Sequence, residues 1–136
     1  MKLAFNRSDL AWIIGVLVVS IAAWLFRDLT IVPRAYVALC ANPHAPWVCV
    51  PRHAVLWAQF ERLFGLGALL LGMLALAFAR RALGAAALAL GIVAVINYNG
   101  TEGIIGAALG LWGWLDARSP RYYWAKDASG DKNARQ

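Results

Sequence analysis

The chain has 136 residues, 62% of them hydrophobic, and 13 Lys and Arg against 7 Asp and Glu give a net charge of +6. Only 15% of residues are charged, against about a quarter in a soluble domain, and the apolar residues gather in long runs. Together these exclude a soluble domain and point to one all-α integral membrane domain over residues 1–117. The basic residues flank the apolar runs, so the positive charge is assigned to the membrane and nucleic acid is excluded as a partner.

The first run, 10–26, reads LAWIIGVLVVSIAAWLF and follows Lys2 and Arg7. A signal peptide has the same basic start and apolar middle, and Ser20-Ile21-Ala22 would serve as a cleavage site. The expectation is an uncleaved membrane helix. The second run, 54–79, ends at Arg80-Arg81. A hydrocarbon core of about 30 Å takes roughly 20 helical residues. Counted back from Arg80, these are 60–79, which leaves 54–59 above the core and Trp57 in the interfacial aromatic belt.

The third and fourth runs, 82–98 and 103–115, are separated by NGTE, and Asn99-Gly100 is predicted to supply the positive φ of a turn. They form a short helical hairpin that either crosses the membrane or enters and returns. The tail 118–136 contains RYYWAK, suited to a cytoplasmic surface anchor, and ends in polar residues expected to be disordered. Asn99-Gly100-Thr101 also fits the N-glycosylation sequon, but a turn this close to the bilayer is a poor acceptor.

Basic residues set the orientation. With both termini cytoplasmic, Lys2, Arg7, Arg80, Arg81, Arg118, Arg121, Lys126, Lys132 and Arg135 lie inside, and Arg27, Arg34, Arg52 and Arg62 outside. The inside excess predicts a four-helix transmembrane bundle, N-in and C-in, in a bacterial inner membrane, with 27–53 as an outer loop.

Small residues recur at helical spacing. The second helix carries Ala58, Glu61, Gly65, Ala68, Gly72 and Ala75 on one face. The third carries Gly84, Ala87, Gly91 and Ala94 with Tyr98 next in line, and the fourth carries Gly103, Gly106, Gly110 and Gly113. Such stripes let helix backbones approach closely, where dispersion contact replaces the hydrophobic drive that lipid removes. Glu61 ends the second stripe, so it is expected to face the bundle interior. Gln59, Glu61, Arg62, Asn97, Asn99 and Glu102 then form one polar cluster at the outer face. The cluster is either structural, with Arg62 neutralising a glutamate and the asparagines ending helices, or a site for a lipid headgroup, a quinone or a partner helix. No nucleophile or ordered base stands beside it.

Both cysteines and both histidines fall in CANPHAPWVCVPRH, spaced as Cys40-x3-His44-x4-Cys49-x3-His53. In an oxidising outer compartment, a Cys40–Cys49 disulfide is the leading expectation, in a loop already stiffened by Pro43, Pro46 and Pro51. The competing reading is a zinc or copper site made by Cys40, His44, Cys49 and His53.

Cysteines in the first outer loop, and Phe60-Glu61-Arg62 followed by LFGLGALLLG, resemble the DsbB family of quinone-linked disulfide oxidases over about twenty residues. The resemblance implies a four-helix membrane fold and thiol–quinone chemistry. This chain departs from the family in having no C-x-x-C before the Glu-Arg pair and no second cysteine pair, so the family's electron relay has no counterpart here. The expected function is a non-catalytic accessory subunit packed against a larger membrane partner or a second copy, with no cofactor. The alternatives are an outer-loop redox or metal protein, and a lipid- or quinone-binding enzyme using Glu61, Arg62 and Glu102.

Overall fold

The computed structural model describes residues 7–117, all helical apart from short connections, and among them there is no strand. Helix α1 spans Arg7–Phe26 and runs on through a π-helical turn, Arg27–Ile31. The short α2, Ala35–Cys40, precedes α3, Cys49–Phe60. Then follow α4 (Leu63–Phe78), α5 (Arg81–Ile96) and α6 (Gly100–Asp116). The start of the chain and the tail with RYYWAK lie outside the described residues.

Helix α1 with its π extension, Arg7–Ile31, is a 25-residue segment of mean hydropathy 2.2, long and apolar enough to cross a membrane. The second predicted helix, 54–79, differs from expectation. It begins earlier, at Cys49, and breaks after Phe60 into α3 and α4, which bend by 66°. The pair reaches a spanning length and hydropathy only when taken together, and α5 is a shorter apolar helix. The predicted outer loop is also largely helical, because the π turn, α2 and the start of α3 occupy much of it.

The core is a three-helix unit, α4–α5–α6, and the glycine stripes are the reason it closes. Gly65, Ala68, Gly72 and Ala75 of α4 are buried, as are Gly84, Ala87, Gly91 and Ala94 of α5 and Gly103, Gly106, Gly110 and Gly113 of α6. The glycines of α6 divide between two neighbours. A Cβ on Gly103 or Gly110 would lie 2.7 or 2.6 Å from the Cβ of Ala94 or Ala87 on α5. A Cβ on Gly106 or Gly113 would lie 2.4 or 2.7 Å from the backbone carbon of Ala68 or Ala75 on α4. Gly84 faces Gly110, and Gly91 faces Gly103, so α5 and α6 run antiparallel, whereas α4 and α6 run parallel. Three helices this close bury backbone against backbone, where many small dispersion contacts accumulate.

Helix α1 lies parallel to α5 and packs mainly on it. Ile13 and Val16 meet Ala85, Leu88, Ala89 and Ile92, and the buried indole of Trp114 from α6 joins this cluster. At one end the buried Asp9 carboxylate lies 3.6 Å from Arg81. At the other, Arg27 donates to the Ile96 carbonyl. Elsewhere α1 presents Leu10, Ile14, Leu17, Val18, Ile21 and Trp24 outward, all exposed.

Candidate functional site

The polar groups meet where α3 breaks into α4. Glu61 closes α3, its N–H donating to the Trp57 carbonyl at 2.9 Å. Arg62 then takes a left-handed conformation, φ 57° and ψ 23°, and its N–H donates to the Gln59 carbonyl at 3.2 Å. A non-glycine residue in that region costs about 1–2 kcal/mol. The left-handed residue turns the chain, and the Arg62 guanidinium meets the Glu102 carboxylate of α6 at 3.1 Å. Arg62 is mostly exposed, so this ion pair contributes little stability.

A second left-handed residue sits opposite. Helix α5 ends in a Schellman motif, with the Asn99 N–H donating to the Ala94 carbonyl (2.8 Å) and the Tyr98 N–H to Val95 (3.3 Å). That pattern requires positive φ at the residue after Asn97, so Tyr98 takes φ 61°. The expected Asn99-Gly100 turn is thus displaced by one to two residues. Gly100 has no positive φ and is the first residue of α6. Tyr98 leaves the small-residue stripe that it appeared to extend and is 77% exposed. Its ring lies under the Arg27 guanidinium, 4.2 Å from centroid to carbon, a cation–π contact.

These two turns frame a hollow of about 370 Å³ lined by Leu56, Gln59, Phe60, Arg62, Tyr98 and Asn99. Asn99 is buried, and its side-chain amide donates to the Gln59 carbonyl at 3.3 Å. The side-chain oxygen Oε1 of Gln59 is buried with no hydrogen-bond partner. Of the six residues predicted to cluster, Gln59, Arg62 and Asn99 line this hollow, and Glu102 joins through Arg62.

Glu61 and Asn97 do not join it. Glu61 is exposed, contrary to the expectation that it faces the interior, because the break at Arg62 takes it off the stripe that continues as Gly65 and Ala68. Asn97 is 3% exposed and lines a separate cavity. The sequence reading passed over Phe60 and Tyr98 as part of the site. Phe60 precedes the Glu61-Arg62 pair and Tyr98 stands between two asparagines, and helical spacing alone placed Tyr98 on the packing stripe.

Cys40 and Cys49 form a disulfide with their Cα atoms 5.6 Å apart, joining the last residue of α2 to the first of α3. Arg52, one turn into α3, donates from Nε to the Thr30 carbonyl at 2.9 Å and ties this hairpin to the π turn of α1. The disulfide leaves neither sulfur as a thiolate, and among the described residues no three His, Cys, Asp or Glu side chains gather as a metal site. His44 and His53 are exposed.

The site is thus a polar hollow with an arginine, two carboxamides and two exposed aromatic rings, Phe60 and Tyr98. No family model, curated protein or solved structure matches the chain.

Proposed function

We propose that the chain is a small non-catalytic integral membrane protein that acts as an accessory subunit, docking a larger membrane partner through the rim of this outer hollow. One observation carries the reading. Two non-glycine residues, Arg62 and Tyr98, are held at positive φ on the wall of the same hollow, and strained backbone concentrates at functional sites. Both turns aim large side chains outward: Phe60 is 83% exposed beside Arg62, and Tyr98 77%. Exposed aromatic rings around an arginine are the composition of an interface centre.

The bilayer part of the reading rests on α1, the bent α3–α4 pair and the apolar exterior. Helices α5 and α6, of 16 and 17 residues, are about 24–26 Å long. That is short of a hydrocarbon core of about 30 Å by an amount that local thinning accommodates. With four crossings and both termini cytoplasmic, the hollow and the disulfide face the outer side of a bacterial inner membrane. The disulfide leaves Cys40 and Cys49 unreactive to maleimides, so a single Thr101→Cys substitution reports the topology. Thr101 is exposed, and an impermeant maleimide should label it in intact cells. Labelling only after the cells are opened would reverse or remove the crossing.

The docking reading predicts that the protein extracted in mild detergent migrates as an assembly well above its 14.8 kDa. Phe60→Ala should weaken that assembly at least ten-fold, as should Tyr98→Gly, a change that keeps the left-handed turn and relieves its strain. Phe60→Ala should leave the melting temperature of the dissociated chain unaltered, because that ring is 83% exposed. A homogeneous, stable monomer in mild detergent and in nanodiscs would overturn the accessory-subunit proposal.

A further inference from the structure

A second cavity, of about 270 Å³, lies in the crevice that opens because α1 packs on α5 but little on α3 and α4. Its walls are Ala23 and Phe26 of α1, Pro51 and Val55 of α3, Phe64 of α4 and Val93 of α5, with Asn97 as the single polar residue. The Asn97 side chain is fixed by its own helix. Its Nδ2 donates to the Val93 carbonyl at 2.9 Å, one turn back, and Oδ1 is left buried with no hydrogen-bond partner. A buried acceptor without a donor is rare in folded proteins and calls for an explanation.

Water explains it poorly. An ordered buried water makes about three hydrogen bonds, and this wall offers one acceptor among six apolar side chains. A charged ligand is equally disfavoured, since no ionisable side chain lines the cavity and an unpaired charge in such surroundings is expensive to desolvate. Arg27 is close in sequence to Phe26 but is engaged with the Ile96 carbonyl and the Tyr98 ring. What remains is a neutral, largely apolar molecule that brings one donor. The volume is somewhat under twice the ~150 Å³ that admits a benzene ring.

We propose that this cavity binds a neutral hydroxyl-bearing amphiphile, its apolar part against Phe26, Val55, Phe64 and Val93 and its O–H donated to Oδ1 of Asn97. Both a membrane lipid with a free hydroxyl and a small free alcohol carry this chemistry. Occupancy needs no protein partner, so the site stands or falls separately from the docking reading above.

The test uses the full chain in phosphatidylcholine nanodiscs with a diazirine-bearing decanol as probe, and cross-linked residues are located by mass spectrometry. Labelling should concentrate on peptides containing Phe26, Val55 and Phe64, and unlabelled decanol should compete at least ten-fold better than decane. Asn97→Leu, close in shape but without the acceptor, should abolish that preference while decane still competes. Ala23→Leu fills the cavity from the loosely packed α1 and should remove the labelling altogether, so the inference stays testable if Asn97→Leu does not fold. Competition by dioleoylglycerol in the same discs would identify the ligand as a membrane lipid. Competition by decanol alone would identify a small free alcohol, and competition by neither would overturn the proposal. Labelling spread over the outer faces of α1 and α6, or equal competition by decane and decanol in the unaltered chain, would overturn it as well.

Discussion

A single methyl group added at Gly106 is expected to force α4 and α6 apart. The Cβ of Gly106→Ala would lie 2.4 Å from the carbonyl carbon of Ala68, 2.6 Å from its oxygen and 2.6 Å from the Leu69 nitrogen. All three are backbone atoms of a helix, and no rotamer change moves them. Overpacking a dense core costs typically about 1–3 kcal/mol, and this site belongs at the upper end because relief requires moving a whole helix. Gly113→Ala, at 2.7 Å from the Ala75 carbonyl carbon, should behave alike.

Two internal controls separate this from a general dislike of alanine. The Cβ of Gly67→Ala would meet only Leu90 Cδ2, at 3.0 Å, and Gly15 has nothing within 4 Å. A leucine tip can rotate away, so Gly67→Ala should cost under about 1 kcal/mol, and Gly15→Ala should stay within about 0.5 kcal/mol of the unaltered chain. Reversible denaturation in mixed micelles measures the series. A Gly106→Ala protein as stable as Gly15→Ala would mean that α4 and α6 do not cross at these backbones.

The second large effect is expected at the disulfide. Removing it with Cys40→Ser and Cys49→Ser opens a loop with a sequence separation of 9, worth about 2.5–3 kcal/mol by the chain-entropy model. The loss should be local. The bridge joins the end of α2 to the start of α3, and beyond it this hairpin is tied to the rest by the Arg52–Thr30 hydrogen bond and, at its far end, by Asn99 donating to the Gln59 carbonyl. The buried glycine contacts of α4, α5 and α6 do not involve it.

Hydrogen exchange over residues 35–60 should therefore accelerate roughly 100-fold on mutation or reduction, while α4 to α6 keep their protection. Unchanged exchange would mean that Arg52, Pro43 and Pro46 hold the hairpin without the bridge. Collapse of the protection across α4 to α6 would make the loop part of the core, against the packing described above.

The sequence by itself determined the all-helical class and the packing faces, and it made the Cys40–Cys49 disulfide the leading expectation over a metal site. Each of these follows from short-range spacing. Small residues three and four apart share a helix face wherever that helix lies, and two cysteines in one short proline-stiffened loop are near enough to pair, as the structure shows they do.

The tertiary structure decided what happens where those faces end. Residues 54–79 read as one apolar run, but the left-handed turn at Arg62 breaks it, and the Arg62 guanidinium then pairs with Glu102, forty positions away in sequence. Asn99-Gly100 has the local chemistry of a turn, but the Schellman hydrogen bonds put positive φ on Tyr98 instead. The polar cluster divided for the same reason: Glu61 turned outward at the break, Asn97 stayed under the end of α5, and Gln59, Arg62 and Asn99 met between. Periodicity is a property of one helix, whereas the placing of a turn and the partner of a polar atom depend on distances between helices.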